Sequence, residues 1–210
     1  APGWQAAGLH RRGKSLWSRD RGAGFSSRAP SRQALAPLAS MKETLIMTAY
    51  LEKLAEAVGQ RLLARQALLA TAESCTGGWI AQVVTSVPGS SAWFDRGFVT
   101  YSNQAKQEML GVAPATLAAY GAVSAQVVAE MAAGALSHSQ AWVTLAVTGV
   151  AGPGGGSEDK PVGTVYLAWA RRDQAPLIQR LQFAGDREKV RRQTVRVALE
   201  RLIELLDAGG

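Results

Sequence analysis

Chemistry in this chain can be assembled around Ser74. It follows an uncharged stretch, Ala67 to Ala72, and opens a polar turn ending in Gly77-Gly78, within the run LLATAESCTGGW. An apolar run of that length bounded by polar and glycine residues reads as an interior strand of an α/β sheet. The residues from Thr76 to Val84 then read as the crossover helix. The first amides of a helix have no intrahelical partners, so they can stabilise a phosphate or a developing oxyanion. Beside such donors, Ser74 is a nucleophile candidate by position. The same turn admits a structural reading, in which Ser74 or Thr76 only caps the helix and the glycines only close the turn.

A serine hydroxyl is a weak nucleophile and needs a base. The two histidines do not offer one: His10 lies in a basic N-terminal segment and His138 in a loop at a helix end. Tyr101 ends a strand expected over Trp93 to Tyr101, and Lys106 lies in a short helix expected over Asn103 to Leu110. Both can point back toward Ser74 if the two strands are neighbours. A lysine that is desolvated, or hydrogen-bonded to a tyrosine, has its pKa lowered enough to act as a base. The plainer reading is a surface lysine on an amphipathic helix and an ordinary strand tyrosine. Cys75 is the rival nucleophile, since thiols at helix N-termini are activated, but it has no adjacent histidine and ranks below Ser74. Neither G-x-S-x-G nor S-x-x-K surrounds the serine.

The other chemically suggestive stretch is Thr148 followed by GVAGPGGG. Glycines at 149, 152, 154, 155 and 156 remove side chains from a backbone that could approach phosphate oxygens. The usual nucleotide fingerprints are missing, because no Lys-Ser/Thr follows the last glycine and no G-x-G-x-x-G leads into a helix. A surface loop is the alternative. Thr148 is the member placed to touch a ligand, since open α/β sheets bind at the carboxyl ends of their strands.

The elements that must position these residues follow from periodicity. Leu51, Leu54, Ala55, Val58 and Leu62 predict an amphipathic helix from about Thr44 to Arg65. Ser124 is a plausible N-cap for a helix presenting Val128, Met131, Ala132 and Ala135. Trp142 to Thr148, Val162 to Trp169 and Leu177 to Phe183 read as strands, the last two forming an antiparallel hairpin at the sheet edge. A helix from about Asp186 to Leu206, with Val195, Leu199, Leu202, Ile203 and Leu206 as its stripe, closes the chain. The order α-β-α-β-α-α-β-β-β-α predicts a single three-layer α/β/α domain with a mixed sheet.

Composition narrows the function classes. With 210 residues and 47% hydrophobic content there is enough chain for one substantial core. A single cysteine excludes an internal disulfide and suits a reducing, cytoplasmic compartment. With the histidines isolated, a metal site has little support, and no apolar run is long enough to span a membrane. The net charge of +7 is concentrated at one end: residues 1 to 40 hold seven Lys and Arg against one acidic residue, residues 41 to 210 sixteen against fifteen. No specific nucleic-acid partner is expected of the nearly neutral part. Residues 1 to 40 read as a disordered basic extension, added or overextended ahead of a natural beginning at Met41, and 41 to 210 as the domain. Arginine and serine with little acid also describe a transit peptide.

Several motifs together resemble the CinA C-terminal-domain family: AESCTGG at 72 to 78, VPGSS at 87 to 91, F-x-T-Y-S-N-x-x-K from Phe98 to Lys106, LGV at 110 to 112, GAVS at 121 to 124, TGVAGPGGG at 148 to 156, KPVGTVY at 160 to 166 and F-x-GDR at 183 to 187. The resemblance runs from about Leu45 to Leu206; the molybdopterin-binding-like domain of longer members is absent from this sequence. It implies hydrolysis of nicotinamide mononucleotide to nicotinate mononucleotide and ammonia, without a metal or organic cofactor. The family's serine, tyrosine and lysine fall on Ser74, Tyr101 and Lys106. Ser74 is expected to attack the carboxamide carbon, Lys106 tuned by Tyr101 to take its proton, and the amides of Cys75 to Gly77 to hold the oxyanion. Substrate contacts are expected from Cys75, Thr76, Gly77, Gly78 and Thr148, from Gly152, Gly154, Gly155 and Gly156 on the ribose phosphate, and from Arg187. The alternatives are a noncatalytic nucleotide-binding or interaction protein in competence or DNA-damage responses, and an amidase for another small carboxamide. A homo-oligomer, in the simplest case a dimer, is also implied; from their place beside turns, Trp79, Trp93 and Phe94 are the expected interface anchors, with packing inside the monomer against the crossover helix as the alternative.

Overall fold

In the computed structural model, which describes residues 32–172 and 174–208, five strands form one sheet. They are β1 (Leu69–Glu73), β2 (Phe94–Val99), β3 (Val143–Gly149), β4 (Thr164–Arg171) and β5 (Leu177–Gln182), ordered β2-β1-β3-β4-β5. β1 runs parallel to both β2 and β3, while β4 is antiparallel to β3 and β5 antiparallel to β4. The expected mixed sheet and edge hairpin are therefore present. Six helices cover it: α1 (Arg32–Ala64), α2 (Trp79–Thr85), α3 (Asn103–Leu110), α4 (Pro114–Tyr120), α5 (Ala125–Ser137) and α6 (Arg187–Ala208).

Side-chain size separates the two faces of the sheet. Leu69, Val143, Leu145, Val147, Val165, Leu167 and Trp169 pack with α1, α2 and α6 in one core, where the stripe Leu51, Leu54, Ala55, Val58 and Leu62 meets Val195, Leu199, Leu202 and Leu206. Full burial of each large aliphatic stabilises the fold by roughly 1.5–3 kcal/mol. The alternate residues on the opposite face are small, Ala72, Ala146, Ala168 and Ala170, and they pack with Val128, Met131, Ala132 and Ala135 of α5. Small against small brings the helix close to the strands, and the Thr144 hydroxyl donates to the Ala132 carbonyl at 2.9 Å. α3 and α4 join α5 in the layer over this face; a Cβ on Gly134 of α5 would stand 2.0 Å from the Leu110 carbonyl oxygen at the end of α3. Only glycine permits that approach.

Some elements depart from the expectations. α1 begins at Arg32, ahead of Thr44, although its buried stripe begins at Leu51 as expected. Residues 1–31, most of the expected basic extension, lie outside the described residues. α4 carries too short an apolar pattern to be read from sequence; it forms with Pro114 in its first turn and with Glu130 of α5 accepting from the Ala113 amide (2.8 Å) and the Thr116 hydroxyl (2.6 Å). Trp93 does not face outward: it is 2% exposed, and a Cβ on Gly59 would fall 2.6 Å from its ring. It completes the core beneath α1, and Trp79 and Phe94 pack half-buried against that core, so Trp93 cannot anchor an interface between copies. No described helix is long and apolar enough to cross a membrane.

Candidate active site

The parallel pairing of β1 with β2 and β3 brings the chemically suggestive residues to one end of the sheet. Ser74 leaves the carboxyl end of β1, its amide still bonded to the Val147 carbonyl of β3. Thr100 leaves β2 alongside, its amide donating to the Glu73 carbonyl at 2.8 Å. The chain then enters α3, capped by the Ser102 hydroxyl, which accepts from the Ala105 amide. One turn into this helix, Lys106 points back: its Nζ lies 3.1 Å from Ser74 Oγ and 2.7 Å from the Thr100 carbonyl oxygen.

Lys106 is 1% exposed. Burial pushes its pKa below the ordinary lysine value, because the charged form loses its hydration without gaining a carboxylate. A neutral amine in this position can donate one N–H to Thr100 and turn its lone pair to the Ser74 hydroxyl, which is what a general base for Ser74 requires. Cys75, by contrast, is 5% exposed, and burial pushes its thiol up to about 12. A thiol so raised is no nucleophile near neutral pH.

Ser74 and Lys106 line a cleft of about 220 Å³ with Cys75, Tyr101, Asn103, Ala122, Val123, Thr148, Gly149, Ala151 and Arg187. No carboxylate lines it, and Arg187 leaves it electropositive. Arg187 donates through Nη1 to the Gly152 carbonyl (2.8 Å) and through Nη2 to the Tyr101 hydroxyl oxygen (2.5 Å). Tyr101 therefore does not tune Lys106: its hydroxyl is on Arg187, and the residue, which lines the cleft, is 60% exposed. Thr148 lines the cleft, but its hydroxyl donates to the Ala122 carbonyl (2.8 Å) and so holds the segment leading to α5. A larger hollow of about 560 Å³, lined in part by Gly77, Gly78, Trp79 and Arg191, contains neither Ser74 nor Lys106.

The turn differs from the sequence expectation in a way that bears on the chemistry. α2 starts at Trp79 rather than Thr76, because Gly77 and Gly78 both take positive φ (62° and 91°) and keep the chain out of the helix until then. The amides of Ile80 and Ala81 donate to the carboxylate of Glu73, and the Gly77 amide donates to the Ser74 carbonyl. These donors are not free for an oxyanion. The amides of Cys75 and Thr76 have no hydrogen-bond acceptor among the described residues, but of the two only Cys75 lines the cleft; Thr76 is fully buried. The Thr76 hydroxyl also goes to Glu73 (2.7 Å), so Thr76 is held inward, and Gly77 and Gly78 do not line the cleft.

The glycine loop after β3 is corrected likewise. Gly149 and Ala151 line the cleft; Gly152, Gly154, Gly155 and Gly156 do not. Gly152 and Gly156 turn toward Val162, where a Cβ would meet its side chain at 2.5 Å and its amide nitrogen at 2.9 Å respectively. Sequence reasoning missed Asn103 and Glu73. Asn103 was visible only as part of a motif, and Glu73 carries no periodic signal, since its partners are backbone amides seven and eight residues on. Among the described residues no group of three or more His, Cys, Asp or Glu stands together to hold a metal ion.

Residues 51–206 match the family model described as the CinA C-terminal domain. The chain is 56% identical over 152 residues to the nicotinamide-nucleotide amidohydrolase PncC of Escherichia coli strain K12, covering 72% of this chain and 92% of that protein. It is 53% identical to the protein of the same name from Pseudomonas putida, covering 72% and 94%. Among solved structures, the competence/damage inducible protein CihA from Agrobacterium tumefaciens superposes with a TM-score of 0.72 at 49% identity, over 74% of this chain and 94% of that one. A CinA superfamily protein from Klebsiella pneumoniae 700603 gives 0.73 at 42% identity, over 75% and 98%.

Proposed function

The chain belongs to the CinA C-terminal domain family, and on that premise we propose that it hydrolyses the carboxamide of nicotinamide mononucleotide to give nicotinate mononucleotide and ammonia. The observation that carries the proposal is the 3.1 Å approach of the buried Lys106 amine to Ser74 Oγ. Ser74 Oγ bonds to the carboxamide carbon as its proton passes to Lys106, and the amide of Cys75, which lines the cleft, receives the oxyanion. The carbon–nitrogen bond then breaks, and the proton on Lys106 leaves with ammonia. Water, giving its proton to Lys106, attacks the ester and returns Ser74 to its starting state.

The cleft is smaller than the roughly 300–1,000 Å³ of pockets that bury a whole drug-sized ligand. A nucleotide seated with its carboxamide on Ser74 therefore extends outward past Tyr101 and Asn103, and the guanidinium of Arg187 supports its phosphate. The same reading carries a cytoplasmic location and self-association, the latter tested by light scattering of the purified chain. The activity is tested by incubating the protein with nicotinamide mononucleotide without added metal: ammonia and the acid nucleotide are expected in equal amounts. Turnover of other small carboxamides with none of this nucleotide would move the proposal to a different amidase. Binding without turnover would make the protein a noncatalytic nucleotide binder.

A further inference from the structure

Glu73 is a buried carboxylate that this mechanism does not use. It is 0% exposed, it immediately precedes the nucleophile, and it is the last residue of β1. One of its oxygens accepts from the Thr76 hydroxyl (2.7 Å) and the Ile80 amide (3.0 Å); the other accepts from the Ala81 amide (2.8 Å), with the Thr71 hydroxyl at 3.5 Å. Both oxygens thus act only as acceptors, as those of a carboxylate do. α2 has no capping side chain at its own N-cap, Gly78. Glu73 supplies that cap from the strand, and the loop between strand and helix is closed by the same side chain.

Closure of this kind has a consequence for Ser74. Residues 74–78 contain two glycines at positive φ, which on their own leave the backbone many alternatives. Glu73 fixes both ends of the segment, holding Thr76 within it and the first turn of α2 beyond it. Its carboxylate is also spent on backbone amides and not on Lys106, which leaves the lysine without an acidic partner that would keep it charged. We propose that Glu73 is the positioning residue that sets the Ser74 hydroxyl against Lys106, acting through the Thr76 hydroxyl and the start of α2. The inference rests on Ser74 being the nucleophile of the proposed reaction.

Glutamine cannot replace Glu73, because its NH₂ would face the Ile80 or the Ala81 amide, whichever way it turned. Two variants at Thr76 offer a gentler probe: Thr76→Val keeps the buried shape and removes the hydroxyl, and Thr76→Ser keeps the hydroxyl. Each protein would be tested in two assays, turnover of nicotinamide mononucleotide and acetylation of Ser74 by p-nitrophenyl acetate, followed by mass spectrometry of the Ser74 peptide. In the second assay Ser74 Oγ takes the acetyl group, p-nitrophenolate leaves and the serine proton goes to Lys106. The expected result is that Glu73→Gln lowers kcat and the acetylation rate by about tenfold or more with KM within about twofold. Thr76→Val is expected to do so in smaller measure and Thr76→Ser to restore the parent rate. If Glu73→Gln does not fold, the Thr76 pair decides by the same criterion. If the parent acetylates Ser74 but leaves the nucleotide intact, the substrate reading fails and the acetylation rates still judge Glu73. Folded variants with parent rates, losses confined to KM or melting temperature, or a parent inert in both assays would overturn the inference.

Discussion

The turn at 74–78 and the loop at 149–156 look alike in the sequence, since each follows an interior strand and each is rich in glycine, yet they serve the cleft differently. The first is tied at both ends: Glu73 bridges Thr76 to α2, the Gly77 amide returns to the Ser74 carbonyl, and Arg191 donates to the Thr76 carbonyl at 2.6 Å while lying over the Trp79 ring. The second meets the cleft only at Gly149 and Ala151, and Gly154 has nothing within 4 Å of where a Cβ would stand. Glycine content alone reports what the backbone must do, such as a positive φ or a close approach. It does not report which residues a ligand touches. The difference lies in the neighbours: a buried carboxylate and a buried lysine hydrogen-bond to the first turn, and no such pair meets the second among the described residues.

The largest effect that would sharpen this contrast belongs to Lys106. Lys106→Met removes the proposed base while filling the same buried space, and turnover is expected to fall by about 10³-fold or more, with melting temperature unchanged or raised because a buried amine has been removed. Steady-state kinetics and calorimetry read the two outcomes. The same residue gives a pH signature. In the proposed mechanism the free amine is the active form, so kcat/KM is expected to rise with pH through a limb lying below the ordinary lysine range. Between the lowered folded value and the ordinary value, the unfolded chain binds more protons than the folded one, so stability also rises with pH across that window. Both dependences should vanish from the residual behaviour of Lys106→Met.

A smaller loss is expected at the far side of the cleft. Arg187→Ala removes a guanidinium that joins Gly152 to Tyr101, and a charged hydrogen bond to a phosphate is worth about 1.5–3 kcal/mol. KM should rise by about tenfold or more with a lesser change in kcat; the reverse pattern would place Arg187 in the chemical step. The smallest effects compare the two glycine stretches directly. Gly77→Ala places a side chain at φ +62° and is expected to cost about 1 kcal/mol of stability, whereas Gly154→Ala is expected to change stability and KM hardly at all. A large KM effect at Gly154 would return the loop to the substrate site.

Much of this organisation was legible in the sequence. The α1 stripe, the helix from Asn103 to Leu110, the Ser124 cap and the sheet hairpin follow from periods of 3.6 and 2, which record what is buried. The Ser74 and Lys106 pairing was legible because parallel neighbouring strands deliver their carboxyl ends to one place. Tyr101 was assigned to the wrong partner because sequence cannot give the direction of a side chain beyond a strand end, and Arg187 arrives from 86 positions away. α4 and Glu73 escaped for a shared reason: each depends on a carboxylate accepting backbone amides across a tertiary contact, and such pairs leave no periodic trace. Trp93 looked available for an interface because the space that buries it is made by the missing side chain of Gly59.

The central claim is that Ser74, served by Lys106, hydrolyses the carboxamide of nicotinamide mononucleotide. Its most direct test is product formation by the parent and by Ser74→Ala, both shown by calorimetry to be folded and to bind the nucleotide. The account predicts equal amounts of ammonia and nicotinate mononucleotide from the parent and a loss of about 10³-fold or more in Ser74→Ala with binding retained. A Ser74→Ala protein that still turns over the nucleotide near the parent rate would contradict it.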